Sequence, residues 1–176
     1  CFDSVSHSKV WGVLSRIGVE GGLLSLIQDL YGGAWAVVRF GGGGEYTNSF
    51  PITRGVWQGC VLAPFLFNLY IRDLETILAG VGGDIPKAGR SSIPALLFAD
   101  DAVLMERTPK TLQTLIDKFV SFMADLDLRI NIGKTFVMSC GLEVKRRPPI
   151  FMLEGSRIKS TASFTYLGVI FNNKGS

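Results

Sequence analysis

Histidine is nearly absent from this 176-residue chain, and cysteine is scarce: one histidine, His7, and three cysteines, Cys1, Cys60 and Cys140, far apart in the sequence. An odd number of widely separated cysteines argues against a disulfide framework, and the lack of metal-ligand spacing argues against a zinc site. Charged residues make up only 19% of the chain and the formal net charge is +3, a mild excess that permits a nucleic-acid partner without pointing to one. No apolar run approaches bilayer length, and the first residues lack the basic-then-apolar order of a signal peptide. The expectation is therefore a soluble, intracellular chain, nuclear or cytoplasmic, with no membrane partner. What the sequence does have is 47% hydrophobic residues, enough for a sizeable core and too many for extensive disorder.

The spacing of apolar residues organises the chain. Val10, Val13, Leu14, Ile17, Leu24, Ile27 and Leu30 follow a helical period interrupted at Gly18 and at Gly21-Gly22, which predicts two short helices over 9–31. Residues 35–40 and 45–52 read as strands joined by four glycines, Gly41 to Gly44. No Lys-Ser/Thr pair or helix follows those glycines, so they read as a hairpin loop and not a phosphate cradle. A stripe from Leu62 to Leu78 predicts one amphipathic helix over 61–78 with Pro64 in its first turn, followed by a loop over 80–89. Thr108-Pro109 is a good helix start, and Leu112, Leu115, Ile116, Phe119, Phe122, Met123 and Leu126 continue it. Residues 128–139, 150–153 and 164–171 read as strands, with Lys145-Arg146-Arg147-Pro148-Pro149 an exposed basic connection. Helices mixed with hairpins, without a βαβ rhythm or internal repeats, predict an α+β fold.

One stretch stands out chemically. Asp100 and Asp101 interrupt an apolar run over 93–105. Adjacent carboxylates repel each other and seldom sit among apolar residues without a counter-ion. The pattern predicts a tight hairpin with the aspartates at its turn, since on a regular strand neighbouring side chains diverge to opposite faces. Taken alone, the pair is either a water-exposed turn or a site for a hard cation such as Mg²⁺, which takes oxygen ligands.

Five blocks in order carry a resemblance. Cys1-Phe-Asp-Ser-Val-Ser-His7 comes first, and Arg54-Gly-Val-Trp-Gln-Gly-Cys-Val-Leu-Ala-Pro-Phe-Leu-Phe67 second. Phe98-Ala-Asp-Asp101 is the third, and Leu128 to Thr135 with Phe164-Thr-Tyr-Leu-Gly168 complete the set. Together they resemble the reverse transcriptases of non-LTR (LINE-type) retrotransposons, with group II intron enzymes as more distant relatives. The resemblance implies a reverse-transcriptase-like palm, an antiparallel sheet backed by helices, and RNA-directed DNA polymerisation. It implies an RNA template, a DNA primer, deoxynucleoside triphosphates, and two Mg²⁺ ions, with Mn²⁺ as a substitute.

Residue by residue, the resemblance makes Asp100 the main metal ligand and Asp101 its partner. Phe2 matches an aromatic steric gate under the sugar. Gln58 and Gly59 match a nucleotide-contacting pair, the glycine letting backbone approach the incoming base pair, and Arg54 at the head of their block joins the substrate-binding group. Lys134 matches a lysine near the departing pyrophosphate. Ala63 stands where many relatives carry serine. His7 and Asp3 are read as local, His7 in packing or capping and Asp3 in fixing the turn into the next helix, and the 145–147 basic run as a solvated loop or a phosphate contact.

The resemblance also implies that one catalytic aspartate belongs a few positions before Phe2, upstream of Cys1, with fingers before it and a thumb after Ser176. Residues 1–176 are accordingly expected to be a partial reverse transcriptase domain, the palm, truncated at both ends. Such a piece should bind Mg²⁺ weakly and show little primer extension alone. The competing expectation is a non-catalytic retroelement remnant that keeps at most a nucleic-acid-binding or partner-binding surface.

Overall fold

A computed structural model describes residues 2–141 and 149–174, which fall into two compact units. The first comprises Cys1–Glu75, Leu97–Ala102 and Asp125–Leu128; the second comprises Thr76–Leu96, Val103–Ala124 and Arg129–Ser176. The basic run at Lys145, Arg146 and Arg147 lies outside the described residues, as does Cys1.

The first unit opens with a 3₁₀ turn, Phe2–Ser4, and two helices, α1 (His7–Arg16) and α2 (Gly21–Gly32). Their separation falls where the glycines predict it: Gly18 has φ +88° and Gly21 φ +61°, left-handed values that glycine adopts without a steric penalty. Strands β1 (Trp35–Ala36), β2 (Arg39–Phe40), β3 (Glu45–Tyr46) and β4 (Phe50–Pro51) form one interrupted antiparallel hairpin. Trp35 pairs with Pro51 at its base and Phe40 with Glu45 at its tip, where the four glycines turn the chain. Between the two ladders, Val38 N–H donates to Thr47 Oγ1 at 3.0 Å, and a side chain thereby bridges the gap.

The helix expected over 61–78 is two helices, α3 (Leu62–Tyr70) and α4 (Leu74–Ala79). The chain tightens at the break, with Arg72 N–H donating to Leu69 O at 3.3 Å. Asp73 then stands immediately before α4, where a short acidic side chain favours a new helix start. Helix α1 packs on both α2 and α3. Val5, Val10, Val13, Leu14, Tyr31, Leu66, Phe67, Tyr70 and Leu74 are buried in this unit. The 125–128 segment is tied to the same unit: the Tyr70 hydroxyl donates to Leu126 O, and Lys9 Nζ donates to Asp125 O at 2.6 Å.

In the second unit, β5 (Lys87–Ala88) pairs with β6 (Ser91–Ser92). Strands β7 (Ala95–Phe98) and β8 (Asp101–Leu104) pair across a two-residue connection, so the aspartate hairpin forms as the sequence predicts; its segment Leu97–Ala102, with both aspartates, belongs to the first unit. Helix α5 (Pro109–Asp125) starts after Thr108, whose Oγ1 accepts from Thr111 N–H at 3.3 Å. Ile116, Phe151, Leu153 and Ile158 make a core, with Leu104, Leu112, Val120, Ile130, Ile132 and Val137 against it.

The expected strand over 128–139 is mostly absent. Asn131 Oδ1 accepts from Lys134 N–H at 3.2 Å and closes a 3₁₀ turn, Ile132–Lys134, leaving only β9 (Phe136–Val137) extended. Short polar side chains that bond their own backbone compete with a ladder in this way. Strand β10 (Met152–Leu153) pairs antiparallel with β11 (Ser156–Arg157). Strand β12 (Lys159–Ser160) runs parallel to β9. The single strand expected over 164–171 is a hairpin, β13 (Ser163–Tyr166) and β14 (Val169–Asn172). Its turn is Leu167-Gly168, with φ +50° and +80°, the two left-handed residues a tight hairpin turn needs. Helices and small, mainly antiparallel sheets make the fold α+β. The described strands form seven separate two-stranded ladders and not one antiparallel sheet, because short runs broken by turns leave little length for lateral pairing.

Candidate functional site

Two sequence-distant blocks are knitted together in the first unit. Gly55 N–H donates to Val5 O at 2.8 Å, Val56 N–H donates to Phe2 O at 2.9 Å, and Ser6 and Arg54 form an antiparallel bridge. The His7 ring adds a bond from Nε2 to Gly55 O at 2.7 Å; a carbonyl only accepts, so Nε2 carries the proton. The approach is so close that a Cβ on Gly55 would stand 3.2 Å from Asp3 Cα and Asp3 O, and Gly55 has φ +95°. Only glycine satisfies both conditions without strain. Phe2, half-buried, stacks on Phe67 of α3 with ring centroids 4.8 Å apart.

Past this junction the chain turns tightly at 57–60, with Cys60 N–H donating to Trp57 O at 3.0 Å and Gly59 at φ +86°. A left-handed third residue is the signature of a turn built for glycine. The exposed Gln58 beside it donates from Nε2 to Asp3 Oδ1 at 3.3 Å and lies 3.5 Å from Oδ2. Under the turn lies an aromatic cluster: Tyr31 meets Trp57 at 5.0 Å, His7 at 5.3 Å and Trp11 at 6.0 Å. Burial, with Cys60 next in importance, pushes the Tyr31 hydroxyl above its ordinary pKa, so it stays neutral. Phe2, Gln58 and Gly59, singled out by sequence, are thus held in one junction. The Asp3 and His7 contacts to residues 55–58 were not foreseen, since they join residues about fifty positions apart and leave no local pattern.

Asp100 and Asp101 occupy a different setting. Ala99 and Asp100 form the connection and Asp101 opens β8; both aspartates are solvent-exposed. Ala99 has φ +50°, a left-handed conformation that costs a non-glycine residue about 1–2 kcal/mol. Neither aspartate makes an ion pair or side-chain hydrogen bond among the described residues, so four carboxylate oxygens are free to accept. Such a donor set suits Mg²⁺, which uses one or two carboxylates and completes its shell with water and phosphate. No group of three or more His, Cys, Asp or Glu side chains placed to hold a metal occurs among the described residues. The segment 97–102 that carries the pair belongs to the same unit as the Phe2–Gln58 junction.

The two other expected residues make contacts of their own. The Arg54 guanidinium lies 3.5 Å from Asp127, which also pairs with Lys9 at 2.9 Å. Hydrogen bonding from Lys9 first, then the charges of Lys9 and Arg54, hold the Asp127 carboxyl below its ordinary pKa. Arg54 thus pairs with a carboxylate through one guanidinium nitrogen while the rest of the group stays exposed to solvent. Lys134 ends its 3₁₀ turn in the second unit, exposed to solvent. No helix among the described residues is long and apolar enough to cross a membrane.

Comparisons with known proteins bear on these blocks as a set. Residues 1–171 match the family described as reverse transcriptase (RNA-dependent DNA polymerase). The chain is 33% identical to the Retrovirus-related Pol polyprotein from type-2 retrotransposable element R2DM of Drosophila melanogaster, over 99% of this chain and 17% of the relative. It is also 33% identical to the Retrovirus-related Pol polyprotein from type-1 retrotransposable element R2 of Popillia japonica, over 99% of this chain and 25% of that protein. The RNA-directed DNA polymerase from mobile element jockey of Drosophila melanogaster is 24% identical over 70% of the chain and 14% of its own length. The chain thus spans a quarter or less of these relatives. With all five blocks inside the matched region, the chain belongs to the reverse transcriptase family, as a domain of the non-LTR retrotransposon kind.

Proposed function

We propose that the chain is the palm portion of a reverse transcriptase domain, and that the protein carrying it copies an RNA template into DNA from a primer. The observation that carries this reading is the pair of exposed, unpartnered carboxylates on a strained two-residue turn, in the same unit as the knitted Phe2–Gln58 junction. Backbone strain held at a turn bearing free acidic groups is the kind of local cost associated with functional sites.

In this reading Asp100 and Asp101 hold divalent cations, Mg²⁺ or Mn²⁺ in its place. Bound there, the ions would supply charge stabilisation to the entering and leaving oxygens of an in-line displacement at the α-phosphate. The chain's own residues do the positioning. Phe2, backed by Phe67, offers a ring that cannot recede, a wall against which a 2′-hydroxyl on the sugar would be crowded. Gly59, without a side chain on the outside of its turn, lets an incoming base pair approach the backbone, and Gln58 beside it offers a polar amide. Arg54 contributes by holding the 125–128 segment through Asp127 and adds positive charge near the junction. Lys134 supplies a positive charge to the departing pyrophosphate, an assignment that rests on its block alone. The nucleic-acid and deoxynucleotide partners follow from the same reading, as does an intracellular site of action.

Primer extension on an RNA template by a full-length element protein carrying this chain is the test. Asp100→Asn should lower the rate by on the order of 100-fold or more, as loss of transition-state charge stabilisation worth several kcal/mol requires. Undiminished extension by Asp100→Asn and Asp101→Asn would overturn the reading.

A further inference from the structure

We infer that Asp3 is a positioning residue that fixes which end of the Gln58 amide faces the substrate. The inference rests on the proposed nucleotide site and deepens it.

A glutamine amide carries a donor on one side and an acceptor on the other, and the two exchange by rotation of the terminal bond. An unrestrained Gln58 would offer a ligand either one. Asp3 removes that choice. Its carboxylate oxygens accept, and they stand 3.3 Å and 3.5 Å from Gln58 Nε2. With the amide turned over, Oε1 would face two carboxylate oxygens at the same distance, a repulsive contact with no proton between them. Gln58 therefore keeps its NH₂ toward Asp3, and its carbonyl oxygen is left to accept from a ligand donor, a hydroxyl or a base N–H.

The carboxylate can enforce this because its own backbone is fixed. The bonds from Val56 N–H to Phe2 O and from Gly55 N–H to Val5 O bracket Asp3. A Cβ on Gly55 would stand only 3.2 Å from Asp3 Cα, so the missing side chain is what lets the two backbones come together. On the other side, Gln58 sits in a turn closed by the bond from Cys60 N–H to Trp57 O and floored by the Trp57–Tyr31 contact. Both partners are thus anchored through their main chains, which keeps the Asp3 carboxylate within reach of the Gln58 amide. The 3₁₀ turn over Phe2–Ser4 places the Phe2 ring and the Asp3 carboxylate one residue apart, so the same turn that presents the ring also orients the amide.

The experiment uses the ¹⁵N-labelled chain with Asp3→Ala and Asp3→Asn. The side-chain amide signals of Gln58 are followed by NMR, and dTTP with Mg²⁺ is titrated into each protein. In Asp3→Ala the Gln58 amide protons should lose their hydrogen-bonded shift, and dTTP affinity should fall about fivefold, the loss of one charge-assisted hydrogen bond at an exposed site. Asparagine both accepts and donates and so tolerates either end of the Gln58 amide; Asp3→Asn should return a hydrogen-bonded signal but leave dTTP affinity about twofold below the wild type. Mg²⁺ affinity measured without nucleotide should be unchanged in both variants. Identical Gln58 amide signals in the wild type and Asp3→Ala would overturn the inference. So would a fall in Mg²⁺ affinity in Asp3→Asn, which would make Asp3 a metal ligand instead. Failure of the underlying site is seen separately: dTTP would then leave the wild-type Phe2 and Gly59 amides unmoved, while the Gln58 comparison still decides the role of Asp3.

Discussion

The Phe2–Gln58 junction and the Asp100–Asp101 turn lie in one compact unit and are built on opposite principles. The junction is saturated: backbone bonds, the His7 ring, a stacked Phe2–Phe67 pair and the Asp3–Gln58 bond hold two sequence blocks together with no external ligand. The turn is bare, with two free carboxylates and a left-handed alanine. The difference teaches a division of labour. Groups that recognise a substrate by shape gain from being preset, since rigid partners lose less entropy on binding. Groups that hold a cation must keep their oxygens unshared until it arrives.

Substitutions at the two places should break that contrast in opposite ways. The largest effect is on chemistry at the turn: Asp100→Asn should abolish most primer extension yet leave urea-unfolding stability within about 0.5 kcal/mol, because an exposed side chain without partners supports nothing in the fold. Next comes stability at the junction. Gly55→Ala places a Cβ 3.2 Å from the Asp3 backbone at φ +95°, and should cost about 2 kcal/mol in urea unfolding. Gly42, with open space around it, should accept alanine at less than about 0.5 kcal/mol. Ala99→Gly should act the other way. It relieves left-handed strain at the turn, partly offset by the freer unfolded glycine, for a gain of about 0.5 kcal/mol.

The smallest effect is on acid stability. Asp127 titrates below its ordinary 3.8 in the folded chain, mainly through Lys9. A depressed carboxyl stabilises the fold above pH 3.8, and that contribution is lost as pH falls through the folded value. Lys9→Ala should therefore lower the neutral plateau slightly and flatten the acid limb, so that the variant and wild-type stability–pH curves converge below the folded value.

These contrasts also explain what the sequence could disclose. Helices α1, α2 and α5 and the hairpin at 95–104 were legible because each is specified locally, by apolar spacing and by Gly18, Thr108 and the Asp pair. The break inside 61–78 was hidden because the apolar stripe continues through Ile71 and Leu74 on both sides of it, so periodicity alone shows one helix. The hairpin at Leu167-Gly168 was missed for a similar reason, a lone glycine in an otherwise strand-like run. At the site, the residue types of the five blocks were readable, whereas the pairings Asp3–Gln58 and Arg54–Asp127 were not. Long-range contacts between polar side chains impose no period on the sequence between them.

The most direct measurement of the central claim is paramagnetic broadening of the ¹⁵N-labelled chain by Mn²⁺. If the bare turn and the preset junction form one metal-and-nucleotide site, Mn²⁺ should broaden the amides of Asp100 and Asp101 first. Those of Phe2 and Gly59 should follow, and Asp100→Asn with Asp101→Asn should remove both effects. Broadening that spares the 97–102 segment, or that stays at the turn and never reaches Phe2 and Gly59, would contradict the account.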